Sequence, residues 1–380
     1  MEGGKDMLPD LTGYRHAIPW FHDTVQAAPE ECGDRSVEES KEEPMSMTRR
    51  ALAGSIATAA LIASCTFASA QTVELKVSHY LPPNHTFQKE LVRWGEELSE
   101  KSGGRLKLNI FPASQLGPVN RQFDLARSGV ADIAVGLHGA TPGRYPTTEL
   151  VSLPYVHPKA GDNSAVTSKR LTELAPEFLA AEHAGLKILW MAVTNPLMFH
   201  TSKQKIATAA DFKGLRIRYA GEQFAQIIPA LGAVPLPVPP AETQDGLAKG
   251  IIDGATFPYE ATQSFDLGTV VKYSLEPGVS TATFAVVMNP AKYASLPDDL
   301  KKLIDTTTGP ARAEAFGKVF DEGEKHGRQY MIDKKVEITK LSDAELANIK
   351  KTLAPIVEKA SSTLEKEGKP GKKFLDAYQK

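Results

Sequence analysis

Apolar residues along this chain change their period repeatedly, and each change marks an element. Val73, Leu75 and Val77 alternate with polar neighbours, as a strand requires. The turn-rich SHYLPPNH follows, and then Phe87, Leu91, Trp94 and Leu98 recur at helical spacing until Gly103-Gly104. RLKLNIFP reads as a second strand, Val119, Phe123, Ala126 and Val130 as the inner face of a second helix, and ADIAVGL as a third strand. A helical region around residues 168–183, interrupted by Pro176, leads to KILWMAVT, a buried strand.

The second half repeats this rhythm. In GLRIRYA, Leu215 and Ile217 point one way and Arg216, Arg218 and Ala220 the other. Phe224, Ile227, Ile228 and Leu231 form a helical stripe that Gly232 stops. AVPLPVP is extended, because Pro235, Pro237 and Pro239 forbid a helix and confine it to an edge or hinge strand. AETQDGLAKG is a short helix and GATFPYE a strand, so residues 211–260 form a β-α-β-α-β run, the pattern of a parallel sheet flanked by helices. STATFAVVMNP is a further strand. Helical spacing from Leu296 is kinked or broken at Gly309-Pro310; VEITKL, a capped helix from Ser342 and a lysine-rich end expected to fray complete the chain.

Residues 1–44 do not share this patterning. Their clustered acids and prolines read as a disordered extension or a mis-set start, with a genuine cytosolic extension as the alternative. Residues 45–70 read as an export signal: Arg49 and Arg50, an apolar run over 51–67, and Ala68-Ser69-Ala70 as the cleavage site. Lipid attachment at Cys65 is the lesser alternative. Cleavage after Ala70 implies a periplasmic location and removes both cysteines, Cys32 and Cys65, so no disulfide or thiolate metal site remains. It also turns the net charge of -2 into 38 basic against 35 acidic residues, too near balance to argue for a nucleic-acid partner.

Ligands of open α/β sheets bind beyond the carboxyl ends of the strands. Arg218 lies nearer that end than Arg216, and its planar fork suits a carboxylate. A strand arginine paired with a surface acid is the competing reading, and the pattern alone leaves the two open. His79, Asn84, His85 and His138 fall in loops after strands, where each either touches a ligand or bonds to backbone. No nucleophile elbow, zinc-protease motif, phosphate-binding loop or calcium loop occurs, so no catalytic residue, metal or cofactor is expected.

Asp211 to Arg218 (DFKGLRIR), Ala230 to Pro235, Glu242 to Gly250 and Ile251 to Gly254 follow one another in order. With SGGRLKLNIFPASQLG and ARSGVADIAVG earlier, they resemble the DctP-like solute-binding proteins of tripartite ATP-independent periplasmic (TRAP) transporters, over nearly all of residues 73–360. The resemblance implies a two-lobed periplasmic-binding-protein fold with hinge strands and a long helix spanning both lobes. Lobe I would be 71–195 with 282–322, and lobe II 196–281 with 323–380, hinged near Asn195 and Ala282. It implies a receptor that closes on a small organic acid and delivers it to membrane permease subunits driven by an ion gradient. An exported enzyme or a sensory module on the same scaffold is the alternative.

In that family the arginine matching Arg218 clamps the ligand carboxylate, and Tyr155 is a plausible wall of the cleft. The chain departs from the family at two places. Phe257 stands where many members have asparagine, and Met198 falls where many have a second arginine, just after the crossing at Asn195. Both changes favour an apolar-bodied monocarboxylate held against Phe257, Tyr259, Tyr155 and Met198. The alternative is that Phe257 and Met198 join the lobe core while His200 and Glu260 read a polar ligand.

Overall fold

The computed structural model describes residues 72–156 and 163–380. The extension, the export signal, its cleavage site and Cys65 lie outside the described residues.

Two sheets carry the fold. The first contains β1 (Val73–Ser78), β2 (Leu106–Phe111), β3 (Ile133–Leu137), β4 (Lys187–Val193) and β10 (Thr283–Met288), in the order β2-β1-β3-β10-β4. The second contains β5 (Leu197–Thr201), β6 (Arg216–Arg218), β7 (Val234–Leu236), β8 (Gly254–Phe257), β9 (Tyr273–Ser280) and β11 (Glu337–Lys340), in the order β11-β9-β5-β8-β6-β7. β6 runs parallel to both β7 and β8, as the β-α-β-α-β pattern requires. The proline-rich β7 sits at the sheet edge, where missing N–H donors interrupt no ladder.

Alternation sorts the strand residues between two cores in each lobe. Phe284, Val286 and Met288 of β10 join Trp190, Leu75 and Phe87, while Ala285 and Val287 join Met191, Val193 and Phe178 on the opposite face. In the second sheet Leu197 and Phe199 pack with Ile217 and Phe224, and Met198 between them packs with Phe257 and Tyr259.

The chain passes directly from strand to strand between the sheets at two crossings, β4 to β5 and β9 to β10, and a third time from β10 to β11 through helices. Gly309 and Pro310 break the helical region cleanly: one helix ends at Thr307 and another runs over Pro310–Asp333. That second helix buries Ala313, Phe316 and Phe320 in the first lobe and Met331 in the second. Gly327 is indispensable to its packing, since a Cβ there would lie 1.8 Å from the Tyr259 carbonyl oxygen.

The C-terminal part departs from the expected lobe assignment and from the expected fraying. The helix Asp343–Lys366 begins on the second lobe with Ile349 and Leu353, but Leu364 enters a core of the first. A final helix, Gly371–Tyr378, buries Phe374, Leu375 and Tyr378 in that same core, and these apolar anchors outweigh the lysines around them.

Candidate functional site

Between the sheets lies a small cavity; its atom-free space is about 470 Å³ only when the open solvent at its mouth is counted. The first lobe contributes Tyr80, His85, Leu137, Phe284 and Phe320 to its walls, and the second contributes Leu197, Arg218, Phe257, Glu260 and Phe265. Thr194 and Ala282, at the two crossings, also line it.

Arg218 ends β6 and is only 1% exposed. Its Nε–H donates to the Val238 carbonyl at 2.9 Å and Nη1 donates to the Thr256 carbonyl at 3.3 Å. Nη2 is buried without a partner. The guanidinium lies 4.3 Å from the centre of the Phe257 ring, a cation–π contact. Burial pulls its pKa down to about 9, while the Tyr80 phenol beside it acts weakly the other way. A guanidinium stays charged at neutral pH, so the site is a desolvated cation lacking a counter-ion.

At another part of the wall, His85 caps the helix Thr86–Lys101 and its Nδ1 accepts from the Phe87 N–H at 3.2 Å. Burial depresses its pKa to about 3, so the ring is neutral and its proton sits on Nε2. That Nε2 is 3.9 Å from Oε2 of Glu260. Burial raises the Glu260 pKa to about 7, against the opposing hydrogen bond from Thr86, and Glu260 Oε1 has no partner. The Glu260 N–H donates to Glu324 Oε2 at 2.9 Å, and the side chain rests on Gly323, where a Cβ would come within 2.7 Å of Cγ.

Of the residues singled out in the sequence, the cavity brings together His85, Arg218, Phe257 and Glu260. Met198 lies elsewhere: it belongs to the second-lobe core and borders a separate recess with Glu276 and Pro277. The pairing of β5 with β9 slips between Leu197 and Phe199, and Leu197 is the β5 residue that faces the cavity. Tyr259 is buried in the core, its hydroxyl donating to Glu276 Oε1 at 3.2 Å. His200 stands behind the cavity wall, between the Ser274 hydroxyl at 2.7 Å and the Phe257 carbonyl at 3.1 Å. His79 binds Gln88 at 2.6 Å, and His138 is locked to Thr283 and His183. Asn84 is exposed, Tyr155 packs on the second-lobe core under Lys350, and Asn195 sits at the crossing beside the cavity without lining it.

Tyr80, Phe265 and Phe284 were not legible as site residues. Tyr80 had a signal in its place beside His79, in the loop after the first strand; the other two reach the cavity only through packing between lobes.

Beside the cavity the lobes meet backbone to backbone. A Cβ on Gly139 would lie 2.3 Å from Gly221 Cα, and the Gly143 N–H donates to Glu222 Oε2 at 2.7 Å. The model for bacterial extracellular solute-binding protein, family 7 (DctP), matches residues 77–363. The chain belongs to this family.

A TRAP solute-binding protein of Rhodoferax ferrireducens, in complex with copurified benzoate, is 32% identical, with a TM-score of 0.76 over 81% of this chain and 97% of that one. Another from Bordetella bronchiseptica, with bound (R)- and (S)-mandelate, is 27% identical, with a TM-score of 0.75 over 81% and 98%. The C4-dicarboxylate-binding periplasmic protein DctP of Rhodobacter capsulatus is 24% identical over 314 residues, 82% of this chain and 93% of the relative. Like other TRAP solute-binding proteins, this DctP-family member is a two-lobed extracytoplasmic receptor and not an enzyme. TRAP solute-binding proteins bind small organic acids and work with membrane permease components.

Proposed function

We propose that the ligand is a monocarboxylate with an apolar, ring-bearing body, captured by lobe closure and released to the paired membrane subunits of an ion-gradient-driven TRAP permease. The reading rests on one observation: Arg218 is the cation of the cavity, its Nη2 has no partner, and it lies on the face of Phe257. A carboxylate bridging Nη2 and the second N–H of Nη1 satisfies the guanidinium. The rest of the acid then meets Phe257, Phe265, Phe284 and Leu197. A second carboxylate would be buried beside Glu260 with no cation to meet it, which costs several kcal/mol. The benzoate and mandelate held by two structural neighbours are acids of this kind.

The mature receptor begins at Gln71, after cleavage behind Ala70, in the periplasm. Intact mass of the secreted protein tests this; a chain starting at Cys65 with an added lipid overturns it. For the ligand, calorimetric titration with benzoate, phenylacetate, succinate, malate and galacturonate decides. The aromatic monocarboxylates should bind tightest, and a preference for a dicarboxylate or sugar acid refutes the proposal.

A further inference from the structure

An acid is an odd neighbour for an anionic ligand. Glu260 nevertheless lines the cavity, buried, with Oε1 unpartnered and Oε2 facing the Nε2–H of His85 at 3.9 Å. A ligand with an apolar body alone would satisfy Arg218 and leave this acceptor and this donor unmet.

The rings of the cavity fix where the group that meets them must be. The Arg218 guanidinium lies over Phe257; the Phe257 ring is 5.4 Å from that of Phe265, and Phe265 is 6.0 Å from the His85 ring. This run of rings leads from the guanidinium to the His85–Glu260 pair, so a ligand that lies along it and reaches both carries its two polar groups on different parts of an aromatic body.

We propose that Glu260, assisted by His85, is a specificity-determining residue that takes a hydrogen bond from a hydroxyl on the ring edge remote from the carboxylate, making the ligand a meta- or para-hydroxylated aromatic monocarboxylate. This rests on Arg218 holding the carboxylate. A hydroxyl suits the pair because it donates to Glu260 while accepting from His85 Nε2–H. It still suits a protonated Glu260, whose O–H donates to it, and burial does raise the pKa of this carboxyl to about 7. An ortho hydroxyl, adjacent to the carboxylate, stays at the Arg218 end.

Calorimetric titration of the full-length receptor with benzoate and its 2-, 3- and 4-hydroxy derivatives tests this. The 3- or 4-hydroxy acid should bind about tenfold tighter or better than benzoate and the 2-hydroxy acid, since a site built around a hydroxyl rejects the analogue lacking it. In Glu260→Leu the ratio should collapse to about one. Equal affinities for all four acids, or a preference that survives Glu260→Leu, overturn the proposal while leaving the monocarboxylate reading intact. Should Glu260→Leu fail to fold, the wild-type ranking decides alone. Binding of succinate in place of all four acids removes the monocarboxylate reading, and this proposal with it.

Discussion

Thr194 and Ala282 hold each other: the Thr194 N–H donates to the Ala282 carbonyl at 2.9 Å, and the Ala282 N–H donates to the Thr194 hydroxyl at 2.9 Å. They belong to the two direct crossings between sheets, so these crossings are tied side by side at the back of the cavity. Rotation about this pair should open and close the cleft with little rearrangement inside either lobe. Small-angle scattering should show a smaller radius of gyration with saturating aromatic acid than without. An unchanged radius would mean a rigid, preformed pocket.

Gly139 gives a sharper test of closure. The three atoms nearest to a Cβ there belong to Gly221 and Glu222 of the other lobe, so a larger residue should clash when the lobes meet. Gly139→Val should weaken ligand binding about tenfold or more, the cost of overpacking by roughly 1–3 kcal/mol falling on the closed state. The melting temperature without ligand should barely move. Unchanged affinity would remove this contact from the closing mechanism.

Arg218→Ala should weaken binding by about 30-fold or more, because truncating one partner of a buried charged pair costs about 2–5 kcal/mol. Arg218→Lys should recover only part of the loss, since a point charge does not reproduce the fork or its seat on Phe257. Near-native affinity of Arg218→Ala in calorimetry would remove the residue from the carboxylate site.

Stability should decline with pH above neutrality. Burial raises the pKa values of Glu149, Glu260 and Glu324 to about 8, 7 and 8, against an ordinary 4.5. Between those limits the folded state holds more protons than the unfolded one, and stability falls as pH rises. The histidines act oppositely. Burial lowers His79, His85 and His200 to about 4, 3 and 4, and His138 and His183 shift in the same direction, so their contribution grows up to about 6.5 and is then complete. Between pH 6.5 and 8.5 the three carboxyls therefore dominate. The melting temperature should drop from pH 6.5 to 8.5, and less so in Glu324→Gln. A flat profile in the wild type would contradict the burial of these acids in the folded state.

Much of the architecture was legible because the period of the apolar pattern changes with each element. The run from Leu215 to Phe257 could be read strand by strand, and three prolines marked β7 as an edge. Arg218 was legible because its position near a strand's carboxyl end coincides with a family motif. The remaining wall was not. Whether Met198 or Leu197 faces the cavity depends on a slip against β9 that no periodicity records. His79, His138 and His200 look in sequence like His85, and only their bonds to Gln88, Thr283 and Ser274 separate them from the one that lines the cavity. The last helix was misjudged by its lysines, although Phe374, Leu375 and Tyr378 share its inner face.

The helix Asp343–Lys366 starts in one lobe's core and ends in the other's, and Pro310–Asp333 does likewise. A jaw hung on two strands alone would swing freely. One that must also flex two rods, each clamped at both ends, behaves as a leaf spring: its resistance climbs with every degree of gape. Such a mount should cap how wide the mouth can gape.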